Sequence, residues 1–229
     1  MFVLSFFQGT QVVENSTRII ENNDGVIGAI LLCICLYLLM IFYFRGEYSI
    51  KEFFVSNVEE TSNAKVSWGI TSFCFMLLTS VLLVDFVPFV PSFIKGIVLN
   101  GYSLSKFGFV FSSLLAFYFL RLVFTYFYYQ SIGEWKKWKV FYFYVTKYYF
   151  SASILLMILN FINYYLIIDK VIFFSFLNVL LVILVIFKLL FYRFHYAHFL
   201  PEKWYYKFLY ICTLQIAPML ALWKLLFIK

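Results

Sequence analysis

Six times along the chain, some twenty or more residues pass with hardly any charge: 25–44, 68–90, 107–128, 141–168, 171–192 and 205–227. A helix rises about 1.5 Å per residue, so crossing a hydrocarbon layer roughly 30 Å thick takes about 20 apolar residues. Repeated segments of that length cannot be hidden in one aqueous core. Composition points the same way: of 229 residues, 64% are hydrophobic and 13% charged, against about a quarter charged in soluble domains. Phe (32 residues) and Tyr (19) are over-used, which suits lipid contact and interfacial anchoring. No alternation of period two speaks for strands. The expected fold is an all-α polytopic membrane protein with six transmembrane helices, forming a single integral membrane domain over 1–229.

The connections carry the remaining information. In the first, Ser49 and Glu52 form a capping box, and Ile50, Phe53, Phe54 and Val58 share one helical face. That pattern predicts a short interfacial helix in the first loop, lying on the membrane or docked to a partner. The fourth and fifth spans are separated only by "IIDKVI", so Asp169 and Lys170 mark a tight helical hairpin. Orientation follows the distribution of Lys and Arg near span ends. Loops one, three and five hold Arg45, Lys51, Lys65, Lys136, Lys137, Lys139, Arg193, Lys203 and Lys207, and the other side holds Arg18, Lys95, Lys106, Lys170, Lys224 and Lys229. The first set is larger, so those loops are expected in the cytoplasm and both termini outside it. The first eighteen residues lack a basic region, a full apolar run and a small-residue cleavage site, so no cleaved signal is expected there.

The formal charge of +7 is explained by these cytoplasmic loops; no basic domain stands apart from the spans to bind nucleic acid. Cys33, Cys35, Cys74 and Cys212 all fall in apolar runs without C-x-x-C spacing, and are read as small hydrophobes. His195, His198 and Glu202 have a superficially metal-like spacing, but Pro201 interrupts it and no third His exists. Neither G-x-S-x-G nor a glycine-rich phosphate loop occurs. No catalytic residue, cofactor or metal site is therefore expected.

Charges inside the spans are the candidates that remain, because an ionisable residue at membrane depth is a functional hypothesis by default. Arg121 shares a helical face with Tyr118, Thr125 and Tyr128, and Lys147 on the next helix shares one with Tyr144 and Ser151. Both cations lie about 12–14 Å from the intervening loop. Two readings stay open. Each side chain can snorkel to the interface, or Arg121, Lys147, Tyr118 and Tyr144 can form an anion- or lipid-binding group, with Arg supplying a planar fork and Lys a point charge. Asp85, near the end of the second span, reads as an interfacial residue on the opposite side from Arg121. Ser153, Asn160 and Asn163 share a face of the fourth span and are expected to form interhelical hydrogen bonds.

The last span reads "FLYICTLQIAPMLALWKLL". Pro218 withholds a backbone donor and frees the carbonyl near Leu214, which predicts a bend or a packed neighbour. Thr213 and Gln215 can bond to that weakened turn or to another helix. Leu209, Tyr210, Cys212, Thr213, Leu214, Ile216 and Pro218 resemble the closing "LYLCTLE-I-P" helix of an uncharacterised Bacteroidetes integral membrane family, the domain of unknown function DUF4271. Where that family usually has an acidic residue this chain has Gln215, so an acid/base role is not carried over to that position. The resemblance implies a multi-pass protein of the bacterial inner membrane and no established activity. Together these features predict a non-catalytic inner-membrane protein acting as a subunit or partner of a membrane protein complex. The alternative is a small transporter or anionic-lipid-handling protein using the basic cytoplasmic half. Expected partners are membrane lipids, anionic ones included, and another membrane protein.

Overall fold

A computed structural model describes residues 24–45, 64–87, 98–99, 102–103, 106–133, 135–166, 169–194 and 204–227. Helix α1 (Asp24–Leu39) runs into a π-helical turn, Met40–Arg45, and is followed by α2 (Ala64–Val84). Two residues in each of β1 (Val98–Leu99) and β2 (Tyr102–Ser103) pair antiparallel before α3 (Lys106–Ser131). Then come α4 (Trp135–Tyr165), α5 (Lys170–Phe194), and a last span made of α6 (Trp204–Leu209), a π-helical stretch (Tyr210–Ile216) and α7 (Ala217–Phe227). Six helical stretches are long and apolar enough to cross a membrane: Asp24–Phe42, Lys65–Val84, Lys106–Ser131, Val140–Tyr165, Lys170–Lys188 and Tyr210–Phe227. The all-α, six-span architecture read from the sequence is the observed one. The expected interfacial helix around Ser49–Val58 lies outside the described residues.

Local chemistry sets the boundaries. The second span is shorter than its apolar run: α2 stops at Val84, and Phe86 and Val87 both donate to the Leu83 carbonyl in a turn. Asp85 within that turn and Pro88 beyond it explain the early stop, since the residue before proline is driven out of the α region. Helix α3 ends at Ser131, and Gly133, at φ 80°, donates to the Gln130 carbonyl. A glycine accepts that left-handed conformation without a Cβ clash, which permits the immediate reversal into α4. At the tight hairpin between α4 and α5, the Asp169 carboxylate accepts from the Val171 amide at 2.9 Å and the Asp169 carbonyl accepts from the Phe173 amide at 3.0 Å. Asp169 is thus the N-cap of α5.

The largest helix–helix interface joins α2 to α4. Leu78, Leu82 and Cys74 of α2 pack with Phe150, Leu156 and Leu159 of α4, and Cys33 and Tyr37 of α1 and Met40 of the π-helical turn close the cluster. Lipid tails are as apolar as leucine, so association here relies on close packing and interhelical hydrogen bonds rather than on removal from water. Asn160 supplies one such bond, donating to the Leu78 carbonyl at 3.1 Å, and Tyr164 supplies another, donating to the Val81 carbonyl at 3.0 Å. Ser153, by contrast, turns back to the Tyr149 carbonyl of its own helix. A second, aromatic cluster lies toward the other end of α4, where Tyr129, Phe141, Val145, Tyr149, Tyr210 and Leu214 meet. It joins α3 and α4 to the last span and contains the site described next.

Candidate functional site

Arg121 is 9% exposed, and its helix presents Phe109, Val110, Leu114, Thr125 and Tyr129 on the same buried side. Thr125 donates back to the Arg121 carbonyl at 2.7 Å. The guanidinium reaches two other spans: Nη1 donates to the Tyr149 hydroxyl at 2.9 Å and Nη2 to Gln215 Oε1 at 2.8 Å. Gln215 Nε2 in turn donates to the Tyr210 hydroxyl at 3.0 Å. Tyr118 sets its ring edge-on to Tyr149 with centroids 5.9 Å apart, and Phe75 of α2 packs on both. One face of α3, one of α4 and the π-helical stretch of the last span therefore converge on a single cation.

The last span can deliver Gln215 and Tyr210 together because it is π-helical there. Pro218 has no amide hydrogen, and its ring would clash with the carbonyl four residues back in an α-helix. The backbone widens instead, and the Ala217 amide donates to the Cys212 carbonyl, five residues back. Widening brings residues five apart, Tyr210 and Gln215, into hydrogen-bonding contact. The proline anticipated as a bend is thus absorbed as a change of helix type. Thr213 is exposed and donates to the Leu209 carbonyl of its own turn at 2.6 Å, so of the two polar residues beside Pro218 Gln215 is the one that reaches another helix.

Arg121 separates two cavities. One, of about 200 Å³, lies against Trp68, Ser72, Tyr118, Tyr142 and Tyr149. The indole nitrogen of Trp68 and the hydroxyl of Ser72 are buried there without a hydrogen-bond partner among the described residues. The other, of about 170 Å³, is lined by Arg121, Lys188, Gln215, Tyr118, Tyr148 and Tyr149 among apolar residues of α2, α5 and α7. Lys188 stands over the rings of Tyr149, at 5.3 Å from the centroid, and Tyr148, at 5.7 Å. Among the described residues that line this cavity none is acidic. Two basic side chains thus share one low-dielectric space with phenols and an amide. The described partners of the guanidinium, Tyr149 and Gln215, are neutral and fix its orientation.

Lys147, expected beside Arg121, is buried but lies along its own helix over Phe143, at 4.7 Å, and Tyr144, at 5.7 Å. The reason is helix polarity. Side chains lean toward the N-terminus of their helix. α3 runs toward the third loop and α4 away from it, so at similar depth Arg121 leans toward the bilayer centre and Lys147 toward the interface. Tyr149, two residues beyond Lys147 and about 200° round the helix, is the α4 side chain that meets Arg121. Lys188 lies on a helix running the same way as α3 and leans inward as Arg121 does. Of the residues grouped with Arg121 in the sequence, Tyr118 lines the same two cavities; Tyr149 and Lys188 were not among that group. The available signal was that Lys188 is a lone cation within an otherwise uncharged run on a helix parallel to α3.

Asp85 belongs to a separate cluster at the other end of the bundle. Its carboxylate accepts from Asn163 at 3.2 Å, from the Tyr164 hydroxyl at 3.1 Å and from Lys170 at 3.4 Å. His195, His198 and Glu202 lie outside the described residues. Among the described residues no three His, Cys, Asp or Glu side chains are grouped as metal ligands. Neither curated proteins nor solved structures provide a match to this chain. The family model for the domain of unknown function DUF4271 matches residues 26–226, nearly the whole chain, and the chain belongs to that family.

Proposed function

We propose that this multi-pass membrane protein binds an anionic amphiphile at Arg121 and Lys188, as an anionic-lipid-handling protein without catalytic activity of its own. The observation that carries this reading is that two basic side chains, Arg121 and Lys188, line one cavity together with phenols, an amide and apolar side chains. The residues suit binding rather than reaction. A guanidinium stays protonated at any working pH, and the neighbouring phenols and amide offer hydrogen bonds to a bound group. A bacterial cytoplasmic membrane suits six apolar helices, because outer-membrane spans are built as barrels.

Gentle purification followed by lipid extraction and mass spectrometry tests the reading. Wild-type protein should retain an anionic amphiphile in about stoichiometric amount. Arg121→Gln should lose most of it, and Arg121→Lys should recover only part, since Lys lacks the planar fork. Equal retention by all three proteins would remove the site.

A second reading, a subunit of a membrane complex, has its own observation. Helix α5 leaves Val171, Ile172, Phe176, Val179, Val182, Ile183, Ile186 and Phe187 more than half exposed along its length. A protein partner covering that helix would co-purify stoichiometrically and survive Arg121→Gln, which separates the two readings. Orientation is proposed with loops one, three and five in the cytoplasm. Single-cysteine labelling at Glu134 and Ser92, on a background without the native cysteines, checks it. Outside-only labelling at Glu134 would reverse the assignment.

A further inference from the structure

The cavity of about 200 Å³ between α2, α3 and α4 has a polar corner of its own, made by Trp68 and Ser72 of α2. The two are four residues apart, so one side chain lies over the other on the same helical face. Ser72 is 7% exposed, and neither its hydroxyl nor the Trp68 indole nitrogen has a hydrogen-bond partner among the described residues. Elsewhere on this helix Thr71, Thr79 and Ser80 each donate to a carbonyl three or four residues back. An indole N–H can only donate, so what satisfies this pair is an acceptor. Away from the corner the wall is mostly rings and aliphatic side chains, among them Met76, Phe141, Tyr142 and Val145. Leu115 and Phe119 of α3 also line it and are 48% and 63% exposed, so access is from the lipid layer.

We infer that this cavity binds the head of a lipid-soluble quinone. The neutral ring lies among the aromatic side chains, one ring carbonyl accepts from Trp68 and Ser72, and the tail leaves past Leu115 and Phe119 into the bilayer. Both donors are distinct from Arg121 and Lys188, so this site stands independently of the anion-binding one. A carbonyl oxygen has two lone pairs, one for each donor. Size fits the head: a cavity of about 150 Å³ holds benzene, so about 200 Å³ admits one six-membered ring with small substituents. Water fits less well, because it needs several polar partners and leaves apolar space dry. Ring walls suit a ring, since aromatic groups favour offset or edge-on contacts, and Trp68 already meets Tyr142 edge-on with centroids 5.1 Å apart. Depth separates the ligand from phospholipid esters. The 21 residues of α2 span about 31 Å, close to the thickness of the hydrocarbon layer. Trp68 and Ser72 lie about 6 Å and 12 Å along it from Ala64, whereas ester carbonyls belong to the interfacial layer outside the hydrocarbon.

Infrared spectroscopy tests the carbonyl directly. The full chain, reconstituted in nanodiscs of phosphatidylcholine, would be titrated with decyl-plastoquinone carrying isotope-labelled carbonyls. Decylbenzene and methyl myristate serve as competitors. Binding should saturate at about one quinone per chain, and the labelled carbonyl stretch should move to lower frequency than in protein-free nanodiscs. Trp68→Phe keeps a ring and removes the N–H, so affinity should fall about tenfold, or 1.4 kcal/mol, and most of the frequency shift should vanish. Ser72→Ala should act in the same direction to a smaller degree, and it suffices if Trp68→Phe fails to fold. Leu115→Trp, at the mouth, should slow or block entry without altering either donor. Absence of saturable binding, or a carbonyl shift indifferent to both Trp68→Phe and Ser72→Ala, would overturn the site. Decylbenzene competing as well as the quinone would reduce it to an apolar cavity, and methyl myristate doing so would overturn the ring.

Discussion

The two polar clusters of this protein sit at opposite ends of α4 and are balanced in opposite ways. At one end, Asp85 has an ammonium, an amide and a phenol around its carboxylate, and Lys170 is 65% exposed, so the charge is neutralised within the cluster and wetted at its rim. At the other, Arg121 is held by a phenol and an amide, with a second cation in the same cavity and no acid among the described residues of its wall. Both clusters tie helices together, α2 to α4 and α5 in the first case and α3 to α4 and the last span in the second. In the second, two basic side chains line one cavity. Cross-linking helices does not require two basic side chains on one cavity, as the Asp85 cluster demonstrates, and the proposed binding role of Arg121 draws its support from that placement.

The sharpest way to break the comparison is to make the open cluster resemble the closed one. Gln215→Glu keeps an oxygen acceptor 2.8 Å from Arg121 Nη2 and adds a negative charge beside it. The Tyr210 hydroxyl, which now accepts from Gln215, can rotate to donate to the new carboxylate. An internal counter-ion competes with any external anion, so retention of the bound amphiphile should fall about tenfold or more. Thermal stability in detergent should rise, because a charge-assisted bond is stronger than a neutral one. A variant that binds as before and melts no higher would show that the cavity does not respond to charge.

How much of this was legible in the sequence depends on whether a feature is local or directional. Span number and order follow from apolar run length, and the tight hairpin before α5 follows from Asp169 and Lys170. Arg121 stood out because its surroundings are uniformly apolar. Its partners did not. Depth alone paired it with Lys147, and depth is blind to the lean of side chains, which reverses between antiparallel helices. Tyr149 was one of many tyrosines in an aromatic segment, with nothing local to distinguish it. Gln215 was noticed beside Pro218, but that the strained turn would widen into a π-helix and set Gln215 against Tyr210 depends on a packing choice that the sequence of one helix does not contain.

That dependence yields a middle-sized effect. Pro218→Ala restores the missing amide and removes the ring, so the stretch Tyr210–Ile216 can relax toward α-helical bonding. In an α-helix, residues five apart are turned about 140° from one another, which would break the Gln215–Tyr210 bond and draw Gln215 from Arg121. Retention of the amphiphile should drop several-fold, less than with Gln215→Glu, because the cations themselves remain. Backbone relaxation can be read independently, as protection from hydrogen exchange of the amide that Pro218→Ala introduces. A protected amide with undiminished retention would separate helix type from the site.

The smallest expected effect belongs to the closed cluster. Asp85→Asn removes the ion pair with Lys170 but keeps an oxygen that can accept from Tyr164 or Asn163. Lys170 reaches largely into solvent, and pairs of that kind contribute about 1 kcal/mol or less. The melting midpoint should therefore fall slightly, and the fall should shrink as salt is raised, because screening weakens an exposed pair in the wild type as well. Retention of the anionic amphiphile should not change, since Asp85 is at the far end of α4 from Arg121. Lys170→Met should produce the same small shift, and the double variant should add little to either, because both single changes remove one interaction. If Asp85→Asn instead released the bound amphiphile, the two ends of α4 would be coupled, and the division between a closed structural cluster and an open binding one would fail.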